Sequence, residues 1–135
     1  MGKILGIDVG TTGTKTILFS KDQGMIARDY MPYDLVAEKV GRGEQEAEEW
    51  WKAVVKTTRT VMEGVEPERV AAISLSLQGG ATVPVDAEGK PLRRALVWND
   101  KRCVEEAKAF AEQFGSDYMY RHTGWKTSQG LNAMQ

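Results

Sequence analysis

Cysteine is almost absent. Cys103 stands alone among 135 residues, which excludes an internal disulfide and any cysteine-pair metal site. An excess of either charge is lacking too: 18 basic residues nearly balance 19 acidic ones, for a formal net charge of −1. No basic field therefore argues for nucleic acid or an anionic membrane as partner. No apolar run approaches the ~20 residues that span a bilayer. The N-terminus enters strand sequence directly, without the basic, apolar and small-residue pattern of a signal peptide. Internal repeats and low-complexity segments are missing as well. These absences predict a cytoplasmic chain, and its balance is that of an ordinary globular protein, 41% hydrophobic and 27% charged. It is long enough for one domain with its own core.

The first twenty residues organise the rest. Two short apolar runs, Ile4 to Val9 and Thr16 to Phe19, flank the polar stretch Gly10-Thr11-Thr12-Gly13-Thr14-Lys15. Their length and β-branched content predict strands joined by a tight hairpin connection. Glycines let backbone approach an anion closely, and successive N–H groups can point at phosphate oxygens. Thr11, Thr12 and Thr14 add hydroxyls, and Lys15 adds a positive charge. Asp8, where the first strand ends, suits a ligand, direct or through water, for Mg2+ travelling with phosphates. The pattern is neither the Walker loop nor G-x-G-x-x-G. The same residues also describe a plain hairpin with an Asp-Val-Gly turn and no ligand.

Further along, Met25 to Tyr33 predicts a third strand and an antiparallel meander, followed by a loop over residues 34–46. Acidic residues from Glu44 to Glu49 precede an apolar helical face of Trp50, Val54, Thr57, Thr58, Val61 and Met62 that ends at Gly64. The tryptophan pair Trp50-Trp51 reads as core packing of a crossover helix. Val70 to Leu77 reads as a strand buried on both faces, parallel to an earlier strand. A hairpin follows from Ala81–Val85 and Leu92–Trp98, then a helix over about 102–114 and a shorter one over 116–121 capped by Ser116. Residues 123–135 receive no assignment.

Gln78-Gly79-Gly80 sits at the carboxyl end of the fourth long strand, where open α/β sheets bind ligands. Bare backbone and an amide suit a molecule whose hydroxyls both donate and accept. Trp98, Asn99, Asp100 and Arg102 follow another strand end and join an apolar ring to polar groups, apt for the C–H faces and hydroxyls of a sugar. The plain alternative is a turn in which Trp98 is buried and Asp100 pairs with Arg102 or caps the next helix.

Gly6-Ile7-Asp8-Val9-Gly10-Thr11-Thr12-Gly13-Thr14-Lys15 resembles the first phosphate-binding stretch of the sugar-kinase, Hsp70 and actin superfamily. Gln78-Gly79-Gly80-Ala81-Thr82, Leu96-Val97-Trp98-Asn99-Asp100-Lys101-Arg102, Glu44-Gln45 and Trp50-Trp51 narrow it. Together they resemble the FGGY carbohydrate kinases, particularly the xylulose-kinase-like members. The resemblance implies an α/β, ribonuclease-H-like or actin-like ATPase domain, a mixed sheet with flanking helices. It implies that ATP phosphates meet Gly10, Thr11, Thr12, Thr14 and Lys15, and that Asp8 works with Mg2+. It also implies a sugar or polyol along Gln78, Gly79 and Gly80, with Trp98 packed against it and Asn99, Asp100 and Arg102 shaping the pocket. Xylulose kinases usually carry Gln-Met-His-Gly where this chain has Gln78-Gly79-Gly80-Ala81, so two substrate-facing side chains are missing and another sugar or polyol is open. Family members are two-domain proteins several times longer, with the catalytic aspartate downstream. Residues 1–135 are thus expected to form part of the N-terminal domain, with no catalytic residue of their own. Expected too are inactivity in isolation and self-association through an exposed sheet edge. The alternative is a non-catalytic sugar- or nucleotide-binding module. A metal-dependent nuclease of the ribonuclease-H fold, with Asp8 as metal ligand, ranks below both, because only Asp100 offers a further carboxylate at a neighbouring strand end and the balanced charge gives no basic face.

Overall fold

The structure, a computed structural model, describes residues 2–126. It divides into two compact units, Met1–Leu35 with Glu46–Gln78, and Val36–Gln45 with Gly79–Gln135.

The first unit is built on the predicted meander. Strands β1 (Lys3–Val9), β2 (Gly13–Ser20) and β3 (Gly24–Pro32) pair antiparallel in sequence. Helix α1 (Ala47–Val61) follows, then a 3-10 turn at Pro67–Arg69. Strand β5 (Val70–Leu77) then pairs parallel with β1, giving the order β3-β2-β1-β5. Alternation decides the faces. Leu5, Ile7 and Val9 of β1 and Thr14, Thr16 and Leu18 of β2 point toward α1 and are buried. α1 answers with buried Ala53, Thr57 and Val61, while Trp50, Val54 and Met62 pack around them. Trp51, 64% exposed, stays out of that core. Glu48 and Glu49 in the first turn and Arg59 in the last complement the helix dipole.

Small polar residues on the buried face of β2 are tied to the helix. Thr57 donates its hydroxyl proton to the Ala53 carbonyl at 2.8 Å, so Thr16 is the donor in the 2.6 Å bond between the two threonine hydroxyls.

Three expectations are corrected. β5 forms and pairs in parallel as expected, but it is an edge strand: Ile73, Leu75 and Leu77, all on the α1 side, are 62%, 63% and 64% exposed. Its apolar run reflects a face that α1 does not reach rather than burial on both sides. The loop expected over 34–46 contains β4 (Glu44–Gln45), which pairs antiparallel with β6 (Ala95–Leu96) in the second unit. The expected 81–98 hairpin shrinks to isolated bridges, Thr82 with Leu96 and Val85 with Pro91, around a turn gathered on Asp86. Two prolines, Pro84 and Pro91, lack the N–H a longer ladder needs.

The second unit ends in α2 (Val104–Phe114) and α3 (Ser116–Thr123), with Gly115 between them at φ 82°. Phe110, Phe114, Tyr118 and His122 form a ladder of ring contacts across that joint, tilted between the first three and stacked between Tyr118 and His122. Of the unassigned tail, 127–135 lies outside the described residues. No helix among the described residues is long and apolar enough to cross a membrane.

Thr57→Val keeps volume but strands the Thr16 hydroxyl in a dry interface. A loss of about 1–3 kcal/mol is expected in denaturant unfolding, and Thr16→Val added to it should recover much of that loss.

Candidate functional site

The first set of expected residues surrounds the β1–β2 turn. β1 carries Asp8 to its exposed end, on the face opposite α1, and register places Lys15 and then Tyr30 beside it in one cross-strand row. The Gly10 N–H closes the turn onto the Gly13 carbonyl at 3.0 Å. Phenol hydroxyls hold the tip from outside. Tyr33 donates to the Gly10 carbonyl at 2.5 Å, and Tyr30 donates to the Thr12 carbonyl at 2.9 Å. The Tyr33 amide also reaches the Thr12 carbonyl, at 3.3 Å. Burial pushes the Tyr33 phenol above its ordinary pKa, partly offset by the neighbouring Thr14 hydroxyl, so the proton stays on at neutral pH.

Gly13 is required by space, not by dihedral angle. A Cβ there would meet the Tyr30 hydroxyl and lie 2.5 Å from its Cζ and 2.6 Å from the Met31 carbonyl oxygen. Thr12 and Lys15 are exposed and Thr11 half-buried. Thr14 is fully buried on the α1 side, its Oγ1 without a hydrogen-bond partner at bonding distance. The β1–β5 ladder continues one step beyond the strands, with the Gln78 amide on the Val9 carbonyl at 2.8 Å. Gln78 is therefore fixed beside the end of β1.

The remaining expected residues belong to the second unit. Gly80 has φ 70°, a conformation that favours glycine. Gly79 has neither that need nor a crowded neighbourhood: an added Cβ meets nothing within 4 Å. Downstream, the turn over 98–102 hangs on Asp100, which is wholly buried. Its Oδ2 accepts the Gly43 N–H at 2.9 Å and Arg102 Nη2 at 2.8 Å, while Oδ1 accepts the Arg102 amide at 2.9 Å and Nε at 2.8 Å. Arg102 Nη2 continues to Glu44 Oε1 at 2.6 Å, and Arg93 joins the same oxygen at 3.2 Å.

Burial alone would raise the Asp100 pKa. The Arg102 guanidinium and the Gly43 and Arg102 amides outweigh it and hold the carboxyl at about 2. Arg102 is held above its ordinary range, chiefly by its bond to Asp100. Asp100 and Arg102 thus spend their polar atoms on each other and on β4, the pairing the plain alternative anticipated. Trp98 is 54% exposed, and the Asn99 Oδ1 is buried without a hydrogen-bond partner. Asn99 lies so close to Gly43 that a Cβ on Gly43 would collide with its amide oxygen.

Cys103 is buried, and that burial raises its thiol pKa, the opposite of an activated nucleophile. No group of three His, Cys, Asp or Glu side chains able to hold a metal occurs among the described residues. Asp8 offers a single exposed carboxylate, which fits a magnesium ion that takes its other ligands from phosphates and water. Tyr30, Tyr33 and Gly43 escaped sequence reasoning because they support the turns rather than compose the motifs.

Residues 3–135 match the family described as FGGY family of carbohydrate kinases, N-terminal domain. The chain is 31% identical over 121 residues to a gluconokinase of Bacillus subtilis (strain 168), covering 90% of this chain and 24% of that one. It is 37% identical over 120 residues to a glycerol kinase of Gluconobacter oxydans (strain 621H), covering 87% and 23%. Its fold matches the crystal structure of a xylulose kinase from Rhodospirillum rubrum with a TM-score of 0.90 at 23% identity, over 98% of this chain and 28% of that one. The chain spans about a quarter of the length of the curated relatives it matches.

The low Asp100 pKa fixes a pH dependence. A depressed carboxyl contributes stability that is fully present above its ordinary value near 3.9 and is lost as pH falls toward about 2. Asp100→Asn should cost about 3–5 kcal/mol at neutral pH by leaving Arg102 poorly paired. In denaturant titrations from pH 7 to pH 2, parent and variant stabilities should converge at the acid end.

Proposed function

The chain belongs to the FGGY family of carbohydrate kinases, and we propose that it forms part of an enzyme transferring a phosphoryl group from Mg-ATP to a hydroxyl of a sugar or polyol. The observation that carries this reading is the tip of β1. There an exposed carboxylate, a glycine-flanked turn and the anchored Gln78 lie within a few residues of one another along two paired strands.

In this reading Gly10, Thr11 and Thr12 cradle phosphates. Because the Gly10 N–H is taken by Gly13, the amides of the following residues and the Thr11 and Thr12 hydroxyls do the binding. The buried Thr14 supports the turn from beneath, Lys15 adds positive charge, and Asp8 meets the nucleotide's Mg2+, whose charge eases transfer of the phosphoryl group. Gln78, Gly79 and Gly80 run along the acceptor. Trp98 lies against a C–H face and Asn99 helps shape the pocket, on a turn held rigid by Asp100 and Arg102. Phosphoryl transfer is positioning plus charge stabilisation from several sides. These residues supply part of what such a site needs and no general base, so this stretch alone is expected to bind nucleotide weakly and turn nothing over. Its uncovered β5 edge, with Ile73, Leu75 and Leu77, favours self-association of the isolated chain.

The complete protein carrying this chain should release ADP in the presence of one of gluconate, xylulose, glycerol or a related polyol. Asp8→Ala should lower kcat by 100-fold or more, about 2.7 kcal/mol of barrier. Turnover that survives the substitution contradicts the reading, and tight sugar or nucleotide binding without any turnover favours the binding module instead. Gly79→Met should leave the thermal midpoint unchanged, because nothing lies within 4 Å of the new Cβ. It should raise the KM for the sugar about tenfold while the KM for ATP holds, a difference of ~1.4 kcal/mol.

A further inference from the structure

We propose that Tyr30 and Tyr33 are positioning residues that clasp the β1–β2 turn by two of its carbonyls and so orient its amides. The clasp is a matter of peptide planes. A carbonyl and the following N–H share one rigid plane and point in opposite directions. Fixing the Gly10 carbonyl on the Tyr33 hydroxyl therefore fixes the Thr11 N–H, and fixing the Thr12 carbonyl on the Tyr30 hydroxyl fixes the plane that leads into β2. Both bonds also occupy oxygens whose negative ends would otherwise repel an anion at the tip.

The grip is built in from two directions. Tyr30 stands in the Asp8–Lys15 row opposite α1 and crosses directly over Gly13, which is why no side chain fits there. Tyr33 lies beyond the end of β3, beside buried Thr14, and its own amide adds a third bond to the Thr12 carbonyl. The three-residue turn from Gly10 to Thr12 has no left-handed residue to fix its shape, since among the described residues no non-glycine has positive φ and neither Gly10 nor Gly13 does. Order in the turn comes from these phenols and from the Gly10–Gly13 bond.

The clasp itself stands on geometry, whereas its use for phosphate rests on the function proposed above. Tyr33→Phe, Tyr30→Phe and the double variant keep both rings and remove only hydroxyls. Amide hydrogen exchange in the nucleotide-free protein should quicken at Gly10 and Tyr33, whose N–H groups are bonded across the turn to the Gly13 and Thr12 carbonyls, by about tenfold or more in the double variant, with Leu5 and Ile7 unchanged. Line broadening of the turn amides by Mn-ATP should then need about five- to tenfold more nucleotide. In the complete protein the KM for ATP should rise alone, with kcat and the KM for the sugar unmoved. Unchanged exchange at the turn overturns the clasp. Faster exchange with unaltered nucleotide affinity overturns its positioning role. Absence of broadening in the parent itself overturns the phosphate reading and that role with it, while the exchange result still decides whether the tyrosines hold the turn.

Discussion

The interaction on which the rest depends is the double pairing of β1. Antiparallel bonds to β2 on one side and parallel bonds to β5 on the other leave its backbone no freedom. Its side chains are then forced into a choice of faces: Leu5, Ile7 and Val9 meet α1, and Asp8 faces outward. A shift of one residue in register would bury the carboxylate and expose three aliphatics, so the hydrophobic core itself holds Asp8 in place. The same ladder, carried on to Gln78, sets a second candidate group beside the strand end.

The polar residues fall into two groups by what they do with their hydrogen-bonding capacity. Asp100, Arg102, Glu44, Thr16 and Thr57 use theirs internally, in bonds that fix a turn or seat a helix. Asp8 and Lys15 stand exposed, Trp98 is more than half exposed, and Asn99 keeps a buried oxygen without a hydrogen-bond partner. Motif membership alone does not separate these groups. Asn99, Asp100 and Arg102 lie within four residues, yet only the middle carboxylate has both oxygens doubly engaged. Retaining buried ionic pairs costs desolvation, and here the return is a turn of defined shape beneath an exposed indole.

Much of this was legible in the sequence. The short β-branched runs Ile4–Val9 and Thr16–Phe19, with Met25–Tyr33 after them, gave the meander, and the spacing Trp50–Val54–Thr57–Val61 gave α1, because helical periodicity reports which face meets a core. Periodicity failed on β5, whose α1-side face no described residue covers. Ile73, Leu75 and Leu77 alternate with small residues Ala72, Ser74 and Ser76, a pattern that looks the same whether the outer layer is in place or missing. The two-residue ladder of β4 and β6 is too short to leave a periodic trace, and its stability comes from the Glu44–Arg102–Asp100 network rather than from strand propensity. The tyrosines that hold the β1–β2 turn carry no motif at all, since any phenol at the right height would serve.

The central claim is that the tip of β1 and the turn after it receive the phosphates of a nucleotide. A crystal structure of the complete protein with Mg2+ and a non-hydrolysable ATP analogue tests it most directly. The account predicts phosphate oxygens within hydrogen-bonding distance of the turn amides around Thr11 and Thr12, with the metal reaching Asp8 directly or through a water. A triphosphate bound elsewhere, with the β1–β2 turn and Asp8 in contact with solvent alone, would contradict it.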